Sequence, residues 1–341
     1  MYKLTVNASK RYQITISNSL DGFANATSRA IVGEKVALIT DSNVDKLYGD
    51  ALNGFLQDKT LYKYVIPAGE QSKCKEIYFD LVEKLCADGF NRTDTVIALG
   101  GGVVGDLAGF VAATYMRGIN LIQVPTTILS AVDSSVGGKT AINLDNGKNL
   151  VGCFYQPSAV YINTEFFKTL PQREILSGKG EIVKYAFLSK SVSAQLIKGG
   201  ANEGLVYQCL KIKRDIVEKD EKEKGKRSLL NLGHTVGHAI ESLSNYSLSH
   251  GECVAKGIAS ALKVSRALYD IDQIKYDEMQ KLLALCGHDL SCPFSAKQLI
   301  DKIAFDKKGD GKAIKFVAVK DIGKPQIVTM DYSELEKYLS L

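Results

Sequence analysis

The sequence predicts an α/β protein of two domains, an N-terminal α/β domain over residues 1–160 and a mainly α-helical C-terminal domain over residues 161–341. Three observations support this prediction. A chain of 341 residues is long enough for about two domains. In the first half, β-rich runs alternate with amphipathic segments, which is typical of a parallel sheet. After about residue 165, apolar residues recur with helical periodicity.

The β-rich runs of the first half are short, and apolar and β-branched residues dominate them. An opening pair, at residues 2–6 and 11–16, predicts a hairpin. An amphipathic segment at residues 76–87 predicts a helix among the runs that follow. Those runs, which we expect to be strands of the sheet, lie at residues 35–40, 61–66, 95–99 and 120–124.

The second half carries mainly helical periodicity. Near its end, residues 314–319 and 326–328 predict a small hairpin. The predicted helices span residues 173–189, 203–219, 234–243, 252–269 and 274–286.

Composition excludes several classes of protein. Hydrophobic residues make up 45% and charged residues 24%, as in an ordinary globular protein. The net charge is only +5 and the basic residues are dispersed, so we expect a small anionic substrate rather than nucleic acid. We expect no secretory signal or membrane span, because the most apolar stretch, residues 96–113, is interrupted by Asp106 and five glycines. Seven scattered cysteines without a C-x-x-C pair predict reduced, mostly buried thiols and a cytoplasmic protein.

A glycine-rich turn follows the predicted strand at residues 95–99. Residues 100–105, GGGVVG, match the pattern G-x-G-x-x-G between a strand and a helix. Glycines there let the backbone approach a phosphate, and the start of a helix favours negative charge. The alternative is a tight turn without a ligand, since the acidic residue usual about twenty positions later is missing. Asp41 and Asn43 end the first run with polar groups suited to a ribose, so we favour a Rossmann-like nucleotide-binding domain.

Three of the four histidines fall within seventeen residues. His234 and His238 lie at positions i and i+4, on one face of a predicted helix, and His250 follows them. Glu181, on an earlier predicted helix, can supply a carboxylate, and this donor set leaves open positions on a metal for substrate oxygens. The alternative is that the histidines are structural, which suits His288, whereas the spacing of the other three favours a metal or catalytic cluster.

Two lysines lie beside glycines, in the runs GGKT at residues 137–140 and GKN at residues 147–149. The first run resembles the end of a Walker A loop, but the spacing of that loop is absent, which disfavours an ATPase. Lys213, Arg227 and Asn231 lie upstream of the histidines. The first two lie in a mixed run of charges at residues 211–227, and such a run is usually a solvated helix face. Only the neighbouring histidine cluster favours a functional role for these residues.

The order of these motifs resembles the 3-dehydroquinate synthase family, of the sugar phosphate cyclase superfamily. The similar blocks cover roughly residues 40–310, and the GHTVGH block is the most specific of them. Departures such as Phe187 and the lysine-rich loop at residues 219–226 remove no polar functional position. The matching runs are GGGVVGD at 100–106, YMRG at 115–118, VPTTIL at 124–129, VDSSVGGKT at 132–140, GKNL at 147–150, GEIVKY at 180–185, LNLGHTVGHA at 230–239, HGE at 250–252 and DKK at 306–308.

The resemblance implies that Glu181, His234 and His250 hold zinc or cobalt. It also implies an NAD site, lined by Asp41, Asn43, Glu70, Lys73, Gly101, Gly102, Val103, Asp106, Thr126, Thr127, Leu129, Lys139, Lys148, Phe166 and Thr169. The implied substrate residues fall into three groups. Those for the phosphate are Lys139, Asn149, Lys184, His238 and one of Lys307 and Lys308; those for the carboxylate are Lys213, Arg227 and Asn231; and Asp133 and Lys148 complete the polar pocket.

The resemblance further implies an activity. Members of this family convert 3-deoxy-D-arabino-heptulosonate 7-phosphate into 3-dehydroquinate and phosphate, the second step of the shikimate pathway to the aromatic amino acids. NAD oxidises the substrate transiently and is regenerated, phosphate is eliminated, and an aldol step closes the ring, so NAD carries the redox chemistry. The implied assembly is a homodimer in which Arg117 reaches the neighbouring active site.

Other activities fit part of the pattern. Another sugar phosphate cyclase, such as 2-deoxy-scyllo-inosose synthase, acts on a substrate without the carboxylate, and a metal-dependent polyol dehydrogenase would release NADH at each turnover. A catalytically dead NAD-binding regulator is the alternative that is not an enzyme. Arg227, with Lys213 and Asn231, favours the acidic substrate because an unneeded buried cation is costly. The intact set of metal and phosphate residues disfavours the regulator.

Overall fold

The structure, a computed structural model, describes residues 1–56, 58–145, 147–306 and 313–341. Contacts between Cα atoms group the chain into two units. The first unit is Met1–Leu170 with Asn202–Glu221, and the second is Pro171–Ala201 with Lys222–Leu341. The predicted boundary near residue 160, between an NAD-binding and a metal-binding domain, stays a prediction.

The strands of the first unit build one large sheet and one small one. They are β1 (Tyr2–Asn7), β2 (Arg11–Ser17), β3 (Lys35–Asp41), β4 (Thr60–Ile66), β5 (Thr95–Gly100), β6 (Asn120–Pro125), β7 (Lys139–Leu144), β8 (Gly147–Phe154) and β9 (Ala159–Asn163). In the large sheet of the described residues the strand order is β1-β2-β9-β6-β5-β3-β4. β1 and β2 pair antiparallel, whereas β2, β9, β6, β5, β3 and β4 are parallel. β7 and β8 form a separate antiparallel pair.

The helices are numbered along the whole chain. They are α1 (Phe23–Thr27), α2 (Ser42–Tyr48), α3 (Lys75–Ala87), α4 (Gly102–Thr114), α5 (Gln172–Leu188), α6 (Lys190–Lys198), α7 (Glu203–Lys219), α8 (His234–Leu243), α9 (His250–Tyr269), α10 (Gln273–Ala284), α11 (Ala296–Asp306) and α12 (Tyr332–Leu339). The first four and α7 belong to the first unit, and the others belong to the second.

The core of the first unit lies between the parallel strands and two helices. Every residue of β5 is buried, as expected for a parallel strand that is covered on both faces. Ile39 of β3 and Val96 of β5 pack in one cluster with Leu85 of α3 and with Leu107 and Val111 of α4. The sheet therefore provides a rigid base for the segments that follow the carboxyl ends of its strands.

The direction of the chain across the sheet changes beside β3. From β3 the chain passes to β4 on one side, and it then crosses back to β5 on the other side of β3. In open α/β sheets, ligands bind outside the carboxyl ends of the strands at such a switch point. Asp41, at the end of β3, and Gly100, at the end of β5, mark this edge.

In the second unit, α9 is the central helix. α5, α8, α10, α12 and a strand, β10 (Ala313–Val319), all pack on it. β10 pairs antiparallel with β11 (Pro325–Asp331), so the predicted C-terminal hairpin is confirmed. Large apolar side chains such as Tyr185 and Phe187 of α5 are fully buried.

The predicted α/β fold class is confirmed, and most predicted elements occur within two or three residues of their expected ends. α9 begins at His250 rather than two residues later, because Ser249 accepts a hydrogen bond from the backbone of Glu252 and caps the helix.

The expectation that most cysteines are buried was wrong, since only Cys209, Cys253 and Cys286 of the seven are buried. No helix of the described residues combines the length and apolar character needed to cross a membrane.

Candidate active site residues

The glycine turn after β5 leaves the start of α4 open. Gly101 caps α4 in an extended conformation. A Cβ atom on Gly101 would lie 3.0 Å from Cγ2 of Thr127, and one on Gly100 would lie 2.6 Å from Cβ of Val104. Side chains are therefore excluded where the backbone N–H groups of the helix start are accessible, as an approaching phosphate requires.

Two other strand ends supply polar groups at the same edge of the sheet. The Asp41 carboxylate accepts hydrogen bonds from the backbone N–H groups of Asn43, at 2.9 Å, and Val44, at 3.1 Å, and so caps α2. Thr126 follows β6, and its buried hydroxyl makes no hydrogen bond within the part of the chain that the structure describes. Because a buried polar group costs free energy unless it is paired, this hydroxyl suits a ligand contact.

A connected polar network joins several predicted site residues. The Lys73 ammonium donates to Asp106 and to the side-chain oxygen of Asn149, both at 2.5 Å. Lys148 lies 4.0 Å from the Glu70 carboxylate. Burial raises the pKa of Asp106, and the charge of Lys73 opposes that rise. The structure thus brings together cofactor and phosphate residues that lie far apart in sequence.

Asn143 of β7 holds this network and was missed by the sequence prediction. Its side-chain NH2 donates to Glu70 at 2.7 Å, and its side-chain oxygen accepts from the backbone of Asn149 at 2.9 Å. Its own N–H donates to the carbonyl of Lys73 at 2.7 Å. Asn149 has a φ of +58°, a conformation that needs such support. The sequence offered a signal for Asn143, because it is a polar residue between the two lysine-containing runs at residues 137–140 and 147–149.

A second ion pair of the first unit joins two predicted site residues. The Lys213 ammonium, on α7, donates to the carboxylate and the backbone carbonyl of Asp133. Asp133 lies in a π-helical turn, Ser130–Ser134, a form that is frequent at functional sites. Lys213 is buried, so the pair fixes the orientation of both charges.

The remaining predicted cofactor residues of the first unit are scattered around these segments. The Tyr48 hydroxyl lies 2.7 Å from that of Thr169, and its ring centroid lies 4.5 Å from that of Phe166. Val103 and Leu129 are partly buried, the first in the opening turn of α4 and the second before the π-helical turn. The predicted phosphate residue Lys139 is exposed at the start of β7.

The second unit contains a cluster of one carboxylate and two imidazoles. Glu181, on α5, is only 1% exposed. Its Oε1 lies 3.5 Å from Nε2 of His234 and 3.2 Å from Nε2 of His250. The ligand atoms of the three residues lie within 4.8 Å of one another, close enough to hold a metal ion. Two imidazoles and a carboxylate fit zinc or cobalt and leave further positions open.

The second ring nitrogen of each imidazole is also held. Nδ1 of His250 lies 3.3 Å from the carboxylate of Glu241, and Nδ1 of His234 lies 3.2 Å from the carbonyl of Leu232. Acceptors at Nδ1 direct Nε2 toward a metal. His238, Glu241 and His250 also approach each other closely, but Glu241 serves as the carboxylate behind His250, so we assign the metal to the other group.

Two histidines of the cluster have opposite pKa shifts. Burial lowers the pKa of His234 to about 3, so its imidazole is neutral. Burial also disfavours the charged form of His250, but hydrogen bonds to Glu181 and Glu241 outweigh this effect and raise its pKa to about 10. Lys184 lies 2.5 Å from the second oxygen of Glu181 and is 1% exposed. The ammonium therefore pairs with this carboxylate through the oxygen that does not face the two imidazoles.

Glycines let the helices that carry these ligands touch through their backbones. A Cβ atom on Gly180, just before the carboxylate ligand, would lie 2.1 Å from the carbonyl oxygen of Gly251. One on Gly257 would lie 1.9 Å from the carbonyl oxygen of Gly233, just before the first histidine ligand. α5 and α8 therefore approach α9 more closely than larger residues would allow, which brings the three ligands together.

The other predicted substrate residues of the second unit differ in exposure. Arg227 is 2% exposed, Asn231 donates to Glu223 at 2.7 Å, and His238 is exposed with its ring 5.3 Å from that of His234. The structure places Lys213 in the first unit and Arg227 and Asn231 in the second. The predicted phosphate contacts Lys307 and Lys308 lie outside the described residues.

Comparison with known proteins first places the fold. The structure is similar to 2-deoxy-scyllo-inosose synthase solved with carbaglucose-6-phosphate, NAD+ and Co2+, with a TM-score of 0.87, 25% identity and 99% of each chain covered. It is also similar to 2-epi-5-epi-valiolone synthase from Streptomyces hygroscopicus, with a TM-score of 0.86, 24% identity, and 99% of this chain and 98% of that chain covered. A glycerol dehydrogenase from Schizosaccharomyces pombe shares the fold at a TM-score of 0.63 and 17% identity, over 96% of this chain and 87% of that chain. The fold and the cluster of ligands thus define the class to which sugar phosphate cyclases belong.

Sequence comparison identifies the family within that class. The family described as 3-dehydroquinate synthase N-terminal matches residues 63–177, and the one described as 3-dehydroquinate synthase C-terminal matches residues 178–309. A 3-dehydroquinate synthase of Clostridium acetobutylicum is 39% identical over 96% of both chains. That of Endomicrobium trichonymphae is 43% identical over 95% of this chain and 94% of its own. The chain belongs to the 3-dehydroquinate synthase family, which confirms the resemblance seen in its motifs.

Proposed function

We propose that the chain converts 3-deoxy-D-arabino-heptulosonate 7-phosphate into 3-dehydroquinate and phosphate. The observation that carries the proposal is the convergence of Glu181, His234 and His250 in a chain of this family. The enzyme is a carbon–oxygen lyase that eliminates phosphate, and NAD and a divalent metal ion are its cofactors. Cyclase neighbours that act on sugar phosphates, one of them solved with NAD+ and Co2+, support this assignment.

The metal would be held by Glu181, His234 and His250. Their fit rests on the buried carboxylate, the two Nε2 atoms that face it, and the acceptors behind both rings. When bound, a divalent ion would polarise hydroxyl and carbonyl oxygens of the substrate. Lys184 pairs with the second oxygen of Glu181, and Glu241 orients His250.

The NAD site would lie at the switch point of the large sheet. Gly101 and Gly102 would admit the pyrophosphate at the start of α4, because neither carries a side chain there. Asp41 and Asn43 would meet the adenosine ribose, and Thr126 offers the buried hydroxyl that has no other partner among the described residues. When bound, NAD would take a hydride from the substrate and return it, so that no net redox change occurs.

The other polar residues would hold the two anionic ends of the substrate. Lys139, Asn149, Lys184, His238 and one of Lys307 and Lys308 are proposed for the phosphate, because charge-assisted hydrogen bonds suit it. Lys213, Arg227 and Asn231 are proposed for the carboxylate. Arg227 is 2% exposed, and its guanidinium group has the paired donors that suit a carboxylate.

A homodimer is also proposed, with Arg117 contributing to the neighbouring site. Arg117 has a φ of +65° and follows Met116, with a φ of +52°. Such strained positions cluster at functional sites. Leu150 and Phe154 of β8 are exposed by 64% and 43%, which suits burial against a second copy.

We propose a cytoplasmic location because all seven cysteines are free thiols.

The test of the proposed function is phosphate release from the heptulosonate phosphate. NAD is supplied in catalytic amount, and absorbance at the NADH band is followed in the same sample. We expect many turnovers of phosphate release with no net rise of that absorbance. Stoichiometric NADH release would instead identify a polyol dehydrogenase, and activity on glucose 6-phosphate alone would identify a cyclase for a substrate without the carboxylate.

A further inference from the structure

The first unit contains a second concave surface at the opposite ends of its strands. This cavity, of about 850 Å³, includes Arg11, Asn120 and Ala159, the first residues of β2, β6 and β9. The NAD residues proposed above follow the carboxyl ends of the parallel strands, whereas these residues open their amino ends. We name this surface the basic groove, after the cations Lys3, Lys10, Arg11 and Arg29 that line it.

The basic groove concentrates positive charge. The whole chain has an excess of only five positive charges, yet four cations line this cavity and no aspartate or glutamate among the described residues does. None of the four forms an ion pair with a carboxylate in the described ranges. The remaining polar lining is neutral, including Asn25, Ser28, Asn120 and Ser158.

Lys10 shows how this charge is arranged. Its ammonium donates to the hydroxyl of Ser158 at 2.6 Å, and that hydroxyl donates in turn to the side-chain oxygen of Asn120. A neutral acceptor orients the lysine without balancing its charge. Partial burial of the ammonium group disfavours its charged form and lowers the pKa of Lys10, although the residue remains accessible to solvent. Its charge would be stabilised by an anion that enters the groove.

We propose that the basic groove is a binding site for a phosphorylated small molecule, separate from the active site. Two arginines can each offer paired N–H groups to phosphate oxygens, a geometry that favours phosphate and carboxylate groups. The cavity has the size of a small-molecule site and exceeds the need of a single inorganic ion. None of the residues proposed for NAD, metal or substrate lines it.

Calorimetric titration with inorganic pyrophosphate tests the proposal. The groove variant is Arg11→Ala with Arg29→Ala, and the matched control is Lys198→Ala with Lys337→Ala, two exposed lysines that do not line the groove. We expect two classes of site in the unaltered protein. The groove variant should weaken one class by at least about tenfold and keep its catalytic activity, and the control should retain both classes.

Three results would overturn the proposal. The first is that the unaltered protein shows a single class of site and that the groove variant retains it. The second is an equal loss of affinity in the control variant, and the third is that citrate, a phosphate-free anion, binds in the groove as tightly as pyrophosphate does. Lys10→Met supplies a second variant that keeps the packing of the alkyl chain. It must weaken the same class of site if the groove binds the anion. Thermal unfolding of each variant shows whether lost binding reflects lost structure.

Discussion

At the scale of single residues, the metal cluster depends on side chains that do not touch the metal position. Glu241 holds Nδ1 of His250, and Lys184 holds the far oxygen of Glu181. Both arrangements fix the direction of a ligand atom. Residue type and spacing predicted a histidine cluster with Glu181, and the family resemblance selected Glu181, His234 and His250 as the ligands. Neither predicted Glu241, although this residue lies on the same helix as His234.

Glu241→Gln tests this supporting contact. The variant keeps the size of the side chain and removes its charge, so we expect metal affinity to fall by roughly 10- to 100-fold. Metal content after dialysis against a buffered zinc solution measures the change. Glu76→Gln, at an exposed position of α3, is the control and should bind metal as the unaltered protein does. Equal metal content in all three proteins would contradict the role of Glu241.

Asn143 provides a second test at this scale. Asn143→Ala removes the contacts to Glu70 and to the backbone of Asn149. We expect kcat/KM to fall by roughly tenfold or more, because a lost hydrogen bond at a constrained turn costs about 1–3 kcal/mol.

Asn143→Asp separates the two contacts of Asn143. The aspartate keeps the acceptor for Asn149 but places a second carboxylate against Glu70, so it should raise KM for NAD more than KM for the sugar phosphate. Equal changes in both KM values, together with a lower Tm, would indicate a purely structural residue.

At the scale of elements, the close contact of α5 with α9 decides where the ligands meet. Gly180 and Gly251 let the two backbones touch beside Glu181 and His250. An isolated helix would gain about 1 kcal/mol from alanine in place of glycine. Here the added carbon meets a carbonyl oxygen, so the steric cost exceeds that gain.

Gly180→Ala should therefore destabilise the protein and reduce metal binding. We expect a loss of about 1–3 kcal/mol of unfolding free energy, as for an overpacked core, and a lower metal content at saturating zinc. Gly54→Ala is the matched control, since a Cβ atom there meets nothing within 4 Å. A Gly180→Ala protein as stable and metal-rich as the control would show that α5 and α9 can move apart freely.

The elements also show where prediction from sequence succeeds. β3, β5 and β6 were predicted because continuous apolar runs are bounded by polar or glycine residues, and α7 and α8 because their apolar faces recur with helical period. β8 was not predicted, since almost all of its residues are exposed and no alternation marks a buried face. β9 was also not predicted, because it is a buried run of only five residues, and a run this short cannot be distinguished from a helix by periodicity.

At the scale of the whole molecule, the metal is expected to serve catalysis rather than folding. Each unit has its own buried apolar residues, and a chain of this size can fold without a metal. Chelation should therefore abolish activity and leave the circular dichroism spectrum unchanged, and added zinc or cobalt should restore activity. Full activity in metal-free protein would contradict the assignment of the metal site.

The proposed exchange of Arg117 between subunits has a distinctive consequence. Two chains, one with Arg117→Ala and the other with Glu181→Ala, are co-expressed with different tags, and the mixed dimer is purified. If Arg117 acts on the neighbouring site, one site has both residues and the other has neither, so about half of the normal activity returns. If Arg117 acts within its own subunit, each site lacks one residue and the mixed dimer remains inactive.

α7 gives the chain an unusual order of assembly. It belongs to the first unit, although the chain has already passed through α5 and α6 of the second. It packs on β1, on β2 and on the turn that contains Asp133. During synthesis, strands β1–β9 therefore leave the ribosome before the helix that packs on their edge. We expect the first unit to reach its final form only after residue 221 has emerged. A gene split at residue 170 would yield a sheet without this helix and without Lys213.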